Sequence, residues 1–300
     1  MKVQLEFERS YLGHNAAVYD LLDGPREGMF ISAGGEGWIT QWSLGDEDGH
    51  LLAKAGSPVL SLEWLMEGTR MLAGTMDGKL HFIDLLDQDL TRVFDLGGKA
   101  SVFDIVKRND EIWVADGLGR LTNWAPEGEL KAVFQLSGKP LRKIFFRSDS
   151  LLLAAGSEGK VFEFDVETNA QIRDWFAHDP SVFAMGAFTG ENSLWTGGRD
   201  ALIKEWDLTP ELAVCTREVN AHWFTVNDIA FHPSARIFAT ASRDKRLRLW
   251  DGKADILQSI DPGTPNGHVN SINTLLWAGS GNYLISAGDD RSIRSWKLTR

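Results

Sequence analysis

Short apolar stretches alternate along this chain with turns rich in glycine and aspartate. In one unit, the apolar stretch VNDIAF (226–231) is followed by small residues (FATAS), a charged turn and the alternating segment LRLW. Period-two alternation over four to eight residues, bounded by turn residues, is typical of β-strands. No segment of ten residues has the 3.6-residue period of an amphipathic helix. The pattern therefore predicts an all-β protein.

The same pattern recurs seven times. Each unit ends its third predicted strand with a bulky residue, and these residues are 40 to 46 positions apart: Trp42, Ile83, Trp124, Phe164, Trp206, Trp250 and Trp296. A fixed period in this range indicates a repeat architecture. Four short strands in each unit of about 42 residues match one blade of a β-propeller. The repeats end near residues 43, 84, 125, 165, 207, 251 and 297, and we number the blades one to seven in chain order.

The two ends of the chain complement each other. The last repeat stops after its third strand, and residues 1–10 contain one alternating stretch with Val3, Leu5 and Phe7 on the same side. Pairing of this stretch with the last blade would close the ring and remove two exposed sheet edges. We therefore predict one closed seven-bladed β-propeller over residues 1–300, with four-stranded antiparallel blades and an N-terminal strand that completes the last blade.

A second marker repeats with the strands. Four histidines lie 28 residues before the bulky residue of their own repeat: His14, His178, His222 and His268. With this marker the sequence resembles the WD-repeat family of β-propellers over essentially the whole chain. The resemblance implies a hydrogen-bonded tetrad, in which a turn aspartate fixes the histidine, the histidine bonds a strand hydroxyl, and the hydroxyl reaches the tryptophan N–H. Buried histidine and indole groups need such partners.

The tetrad is complete in blades five to seven. Its residues are His178, Thr196, Asp200 and Trp206 in blade five, His222, Thr240, Asp244 and Trp250 in blade six, and His268, Ser286, Asp290 and Trp296 in blade seven. Blade one is close, with Glu36 at the aspartate position. Blades two to four have Ala55, Gly98 and Ser137 in place of the histidine. We expect those three blades to depend on apolar packing and to be the softer part of the ring.

Composition narrows the class of function. Lys and Arg total 31 against 42 Asp and Glu, giving a net charge of −11, and 43% of residues are hydrophobic. The acidic balance argues against coating nucleic acid or an anionic membrane. The chain has a single cysteine, no apolar run long enough for a membrane helix and no visible signal peptide. We expect a monomeric protein of a reducing compartment, cytoplasmic or nuclear.

No catalytic motif of the types GxSxG, HExxH, CxxC or GxxxxGK[ST] is present. The His–Asp pairs recur in several blades, which indicates architecture rather than an active site. The resemblance implies partner docking on the face that carries the histidine loops and the aspartate turns, here called the upper face. Trp223 and Phe224 follow His222 on that face, and Arg199 and Arg243 precede turn aspartates. We predict a non-catalytic scaffold without a cofactor that binds a protein or peptide there. The alternative for Trp223 or Phe224 is that it folds back over the tetrad or the next blade.

Other features of the sequence leave alternatives open. Strand alternation directs a set of first-strand residues into the central channel, where they form a ligand pocket or a simple plug: Tyr19, Phe103, Arg142 and Phe183. Three first-strand carboxylates either hold a divalent ion, as in a propeller enzyme or metal-binding protein, or accept backbone hydrogen bonds: Asp20, Asp104 and Asp228. The segment 261–267 (DPGTPNG) is a recognition loop or a tolerated insertion.

Overall fold

In the computed structural model, residues 3–97, 100–209 and 211–299 are described. They form 28 β-strands and one short 3₁₀ turn at Gln88–Leu90. The strands of the first half of the chain are β1 Gln4–Tyr11, β2 Val18–Asp23, β3 Met29–Gly34, β4 Trp38–Ser43, β5 Asp46–Lys54, β6 Val59–Met66, β7 Arg70–Thr75, β8 Lys79–Asp84, β9 Arg92–Asp95, β10 Val102–Arg108, β11 Glu111–Asp116, β12 Arg120–Trp124, β13 Leu130–Gln135 and β14 Leu141–Phe146. Those of the second half are β15 Leu151–Gly156, β16 Lys160–Asp165, β17 Ala170–Phe176, β18 Val182–Gly186, β19 Ser193–Gly198, β20 Leu202–Leu208, β21 Ala213–Asn220, β22 Val226–Phe231, β23 Ile237–Ser242, β24 Leu247–Asp251, β25 Ile256–Ile260, β26 Ile272–Ala278, β27 Tyr283–Gly288 and β28 Ile293–Thr299.

The strands make seven antiparallel sheets of four, one for each predicted repeat. Six blades contain four consecutive strands, from β2–β5 in blade one to β22–β25 in blade six. Blade seven has the order β1-β28-β27-β26, so that the N-terminal strand is its outer member. Gln4 lies opposite Thr299 and Phe7 opposite Trp296 in this pairing. The predicted fold and its closure are therefore confirmed.

The core lies between neighbouring blades. Between blades five and six, Trp195 and Ile203 pack with Phe238 and Trp250, and each of the four is fully or almost fully buried. A twisted four-stranded sheet has two faces to cover, and each blade covers one face of the next. This arrangement explains why the second strands are apolar at consecutive positions, as in Ile237–Ser242, where every residue is buried.

Every first strand contains a β-bulge at the same place. The pairing register shifts between residues two apart in all seven blades, for example between Val18 and Asp20 and between Leu141 and Lys143. A bulge leaves one residue unpaired and changes the direction of its side chain. The bulged residues are Tyr19, Leu60, Phe103, Arg142, Phe183, Asn227 and Asn273. The repeat of the bulge gives the channel a ring of seven side chains.

Blades two to four use other polar contacts in place of the tetrad. In blade three, the indole of Trp124 donates to Thr122 Oγ1 at 2.8 Å, and Asp116 accepts from Arg120 Nε at 2.7 Å. In blade two, Thr75 Oγ1 donates to Asp77. Gly98, which has the histidine position of blade three, lies outside the described residues. In blade four, Glu158 at the turn-aspartate position accepts from the Gly138 backbone N–H at 2.8 Å, next to Ser137 at the histidine position. Apolar packing is thus supplemented by polar bonds in all three blades.

Candidate protein-interaction surface

The tetrad of blade six fixes the loop that precedes its first strand. His222 Nδ1–H donates to the Asp244 carboxylate at 3.1 Å, and Thr240 lies 2.7 Å from His222 Nε2. The Trp250 indole donates to the same threonine oxygen at 2.9 Å. Because a carboxylate only accepts, the neutral imidazole carries its proton on Nδ1 and accepts from the Thr240 hydroxyl at Nε2. One hydroxyl therefore serves both buried rings.

The same arrangement occurs in blades one, five and seven. His178 lies 2.8 Å from both Asp200 and Thr196, and His268 lies 2.9 Å from both Asp290 and Ser286. Trp206 and Trp296 each donate to the hydroxyl of their blade at 2.9 Å. In blade one His14 contacts Glu36 and Ser32, and Trp42 donates to Ser32. All four histidines are buried.

Burial sets the charge state of these pairs. It lowers the pKa of His222 and of His268 despite their aspartate partners, so both imidazoles are neutral near pH 7. Burial alone would raise the pKa of Asp244, but hydrogen bonds from His222 and from the Trp223 backbone N–H lower it below its ordinary value. The pair is thus a neutral histidine on an ionised carboxylate, which is a structural bond rather than a base poised for proton transfer.

The Asp244 carboxylate also determines where the next side chain lies. Its Oδ2 accepts the backbone N–H of Trp223 at 3.0 Å, and Ser242 Oγ donates to the Phe224 carbonyl at 3.2 Å. These two hydrogen bonds fix the loop backbone, and both aromatic side chains extend into solvent. Trp223 is 72% exposed and Phe224 is 58% exposed. Neither ring folds back over the tetrad. Trp223 and Phe224 are thus two adjacent large apolar side chains exposed on a loop whose backbone is hydrogen-bonded to blade six.

The exposed tryptophan is connected to the long loop of the next blade. The guanidinium carbon of Arg246 lies 3.9 Å from the centroid of the Trp223 ring, and Arg246 Nε donates to Asp261 at 2.6 Å. Asp261 begins the segment 261–267 that the sequence marks as a recognition loop or an insertion. A cation over an aromatic face and a charge-assisted hydrogen bond stabilise one orientation of the indole. The loop and the ring therefore form one continuous surface.

Two further cations lie at the predicted positions. Arg199 and Arg243 precede the turn aspartates of blades five and six, and both are exposed. Their backbone N–H groups bond Ser181 and Thr225. Within residues 3–97, 100–209 and 211–299, no carboxylate lies within ion-pair distance of either arginine. Two guanidinium groups of the upper face are thus free to meet a partner.

The channel mouth is a cavity of about 510 Å³, and all seven bulged residues line it. Phe103 and Phe183 enclose the Arg142 guanidinium, whose carbon lies 4.8 Å from each ring centroid. Ser157 Oγ accepts from Arg142 Nε at 2.9 Å. An arginine of the chain thus occupies the space between the aromatic residues of blades three and five, and the mouth retains the cavity around them.

The three first-strand carboxylates are used within the ring. Asp20, Asp104 and Asp228 each accept a backbone N–H from the following blade, at 2.7 Å, 2.7 Å and 2.8 Å. Lys143 Nζ lies 3.3 Å from Asp104. Among the described residues, no group of three or more His, Cys, Asp and Glu side chains is arranged to hold a metal ion. The geometry therefore favours backbone hydrogen bonding over the metal alternative.

Lys143 is a charged residue of the channel to which the sequence pattern assigned no role. Burial alone would lower the pKa of its ammonium, but the charges of Asp104, Asp228 and Asp20 raise it above its ordinary value. Burial raises the pKa of Asp20 to about 7, and it also raises the pKa of Asp104 and of Asp228. The available signal was its position directly after a bulged residue, equivalent to the three aspartates.

Comparison with known proteins agrees with the geometry. The family model of the WD domain, G-beta repeat, matches residues 213–251 and 262–297. Over 99% of its length the chain is 23% identical to the WD repeat-containing protein 91 homolog of Dictyostelium discoideum, of which it spans 40%. Over 80% of its length it is 26% identical to protein transport protein sec13 of Emericella nidulans, of which it spans 76%.

A third relative is the nuclear distribution protein nudF of Aspergillus niger. The two proteins are 23% identical over 59% of this chain, and the matched region covers 44% of nudF. The chain thus spans less than half of two of these three proteins. No helix in the described part of the chain is long and apolar enough to cross a membrane. The family model thus matches WD repeats at blades six and seven, and the described structure has seven blades of the same four-strand order, which is the architecture of a WD-repeat β-propeller.

Proposed function

We propose that this propeller is a non-catalytic scaffold that presents its upper face at blades five and six to a partner protein or peptide. The observation that carries the proposal is the exposure of Trp223 and Phe224 on a loop whose backbone is hydrogen-bonded to Asp244 of the blade-six tetrad. Arg199 and Arg243 flank it without ion-pair partners among the described residues. Tryptophan and arginine are the residue types most enriched among interface hot spots.

Two contributions to the free energy favour binding of a partner at this surface. The tetrad already holds the loop backbone, so binding there costs little additional ordering of the chain. Covering two large aromatic rings removes apolar area from water, at about 25 cal/mol per Å². Two relatives have names that denote protein transport and nuclear distribution rather than an enzymatic reaction.

The proposal is tested by quantitative affinity purification from the source cells with the full chain as bait. The double variant Trp223→Ala/Arg243→Glu removes one ring and reverses one charge on the upper face. A matched control, Met66→Ala/Lys253→Glu, makes the same two kinds of change at exposed positions of the opposite face, where first strands and third strands end. We expect the control to retain the wild-type partners and the upper-face variant to lose at least one of them. Identical partner sets for all three proteins would contradict the chosen surface.

A further inference from the structure

Arg142 places a charged guanidinium between two aromatic rings at the channel mouth. It lies half-buried in the channel mouth, with its guanidinium enclosed by Phe103 and Phe183 and its Nε bonded to Ser157. Within the described part of the chain no carboxylate lies at ion-pair distance from it. The two rings restrict the guanidinium, and Nε is its one nitrogen with a hydrogen bond among the described residues, so the two terminal nitrogens keep their donors for a ligand. An arginine held in this way is prepared to form a bidentate bond with a planar anion.

A second arginine of the upper face lies in the neighbouring blade. The Arg199 backbone N–H donates to the Ser181 carbonyl at 2.9 Å, two residues before Phe183, whose ring lies against the Arg142 guanidinium. Burial and the charge of Arg199 both lower the pKa of Arg142. Arg243 has the equivalent of the Arg199 position in the next blade. The cations of blades four, five and six thus follow one another along one side of the upper face. Three uncompensated positive charges in a chain with a net charge of −11 indicate attraction for an anion at this side.

The acidic groups of the cavity do not compensate Arg142. Asp20, Asp104 and Asp228 are bonded to backbone N–H groups of the following blades, and the Lys143 ammonium lies among them. On the opposite rim, Asp289 accepts from Asn273 at 2.8 Å. These carboxylates would repel an anion that entered deeply or from blade seven. An anionic ligand is therefore restricted to the mouth, on the side of blades four to six.

We infer that the channel mouth binds carboxylates of an acidic peptide segment, with Arg142 as the bidentate partner of one carboxylate and Arg199 and Arg243 as partners of the next. Several carboxylates on one flexible chain match three cations from successive blades better than a single small anion does. The exposed rings of Trp223 and Phe224 then cover the apolar part of the same segment. The inference rests on the proposed function and specifies the chemistry of its partner.

The probe is a fluorescein-labelled hexaglutamate peptide, titrated with the full chain and followed by fluorescence anisotropy. Labelled hexaserine and hexalysine are the reference peptides. We expect saturable binding of hexaglutamate alone, which weakens as sodium chloride rises from low to high concentration. Absence of saturable binding, or equal binding of hexaserine, would overturn the inference. Equal displacement by inorganic phosphate at the same charge concentration would also overturn it, because the site would then take any anion.

Variants assign the site. Arg142→Met keeps the stem between the rings and removes the charge, and we expect about 30-fold weaker binding, as for loss of a desolvated charge pair. Arg199 is exposed, and its guanidinium has no ion pair or hydrogen bond within the described residues, so Arg199→Gln should weaken binding about threefold without disturbing the fold. The control Lys131→Gln removes one exposed cation from the outer strand β13 and should leave binding unchanged. Equal binding by Arg142→Met and wild type would overturn the assignment.

The same titrations distinguish failure of the inference from failure of the proposed function. If hexaglutamate does not bind but captured partners still depend on Trp223 and Arg243, the scaffold proposal stands and the acidic-peptide chemistry is wrong. If hexaglutamate binds through Arg142 but partner capture does not depend on Trp223, the site exists and the proposed docking surface is wrong. Folding of each variant is checked by its melting temperature, and Arg199→Gln keeps the test valid should Arg142→Met melt lower.

Discussion

Substitution of Lys143 tests how the centre of the ring is held together. Its ammonium is the cation that faces Asp20, Asp104 and Asp228, and it lies 3.3 Å from Asp104. Lys143→Met keeps most of the side-chain volume and removes the charge. The three carboxylates would keep their backbone partners but lose their counterion. We expect the variant to fold with reduced stability, because an uncompensated buried charge costs more than the original pair gained.

The magnitude follows from burial. Removing one partner of a fully buried ion pair costs about 3–5 kcal/mol. The Lys143 side chain is 35% exposed to the channel, so water screens part of the interaction. We therefore expect a loss of about 2–3 kcal/mol in the free energy of unfolding. At about 2.1 cal/mol/K per residue, 300 residues have an unfolding entropy of about 0.6 kcal/mol/K, so the melting temperature should fall by roughly 3–5 °C.

The pH dependence makes this prediction specific. The pKa of Asp20 is raised from 3.8 to about 7. Between these values the folded protein holds a proton that the unfolded chain has released, so the contribution of this group to stability falls as pH rises from 4 to 7. At pH 5 the carboxyl group is largely protonated and requires no cation. The loss caused by Lys143→Met should therefore be larger at pH 8 than at pH 5.

The assay is thermal and urea unfolding of the wild type, Lys143→Met and the exposed control Lys131→Met at both pH values. Lys131 lies on the outer strand β13, and its substitution should change stability by less than about 0.5 kcal/mol. A Lys143→Met protein as stable as the wild type at pH 8 would refute the counterion role. A loss of equal size at pH 5 and pH 8 would show that packing, rather than charge, is responsible.

Three further predictions concern the ring. Deletion of residues 1–9 removes most of β1 from blade seven, which exposes the edge of β28 and should lower the melting temperature far more than loss of a surface tail; an unchanged melting temperature would contradict closure by this strand. Thr240→Val leaves His222 Nε2 and the Trp250 N–H buried without their shared hydrogen-bond partner. Calorimetry should therefore show that the free energy of unfolding falls by about 2–4 kcal/mol. The control Thr216→Val, at an exposed position, should lower it by less than about 0.5 kcal/mol. Backbone amides of blades two to four should exchange hydrogen faster than those of blades five to seven by mass spectrometry, and slower exchange there would be evidence against the structural role of the tetrads.

The fold could be predicted from the sequence because the same residue types recur at the same positions of each repeat. The 28-residue offset from His222 to Trp250 is the distance from the start of the histidine loop to the end of the third strand, and it recurs in four blades. Period-two alternation and the missing fourth strand of the last repeat together predicted closure by β1. Local spacing determines these features, so no information about distant contacts was needed.

The channel was predicted only in part. Alternation placed Tyr19, Phe103, Arg142 and Phe183 in the channel, and the structure brings them to one cavity by way of seven equivalent bulges. That Arg142 fills the space between the two phenylalanines depends on side-chain geometry across three blades, which no local pattern encodes. Lys143 was missed for a related reason, since a lysine on a strand usually extends into solvent. Its pairing with carboxylates of blades one, three and six appears only when the ring is closed.

The most direct test of the scaffold account is a hydrogen-exchange footprint of the full chain bound to a partner recovered by affinity purification. The account predicts slower amide exchange on binding in the upper-face loops of blades five and six, including residues 199–201, 222–225 and 243–246. The turns of the opposite face, such as residues 66–69 and 251–254, should exchange at the same rate in the free and bound protein. Protection confined to those lower turns or to the outer strands would contradict the central claim.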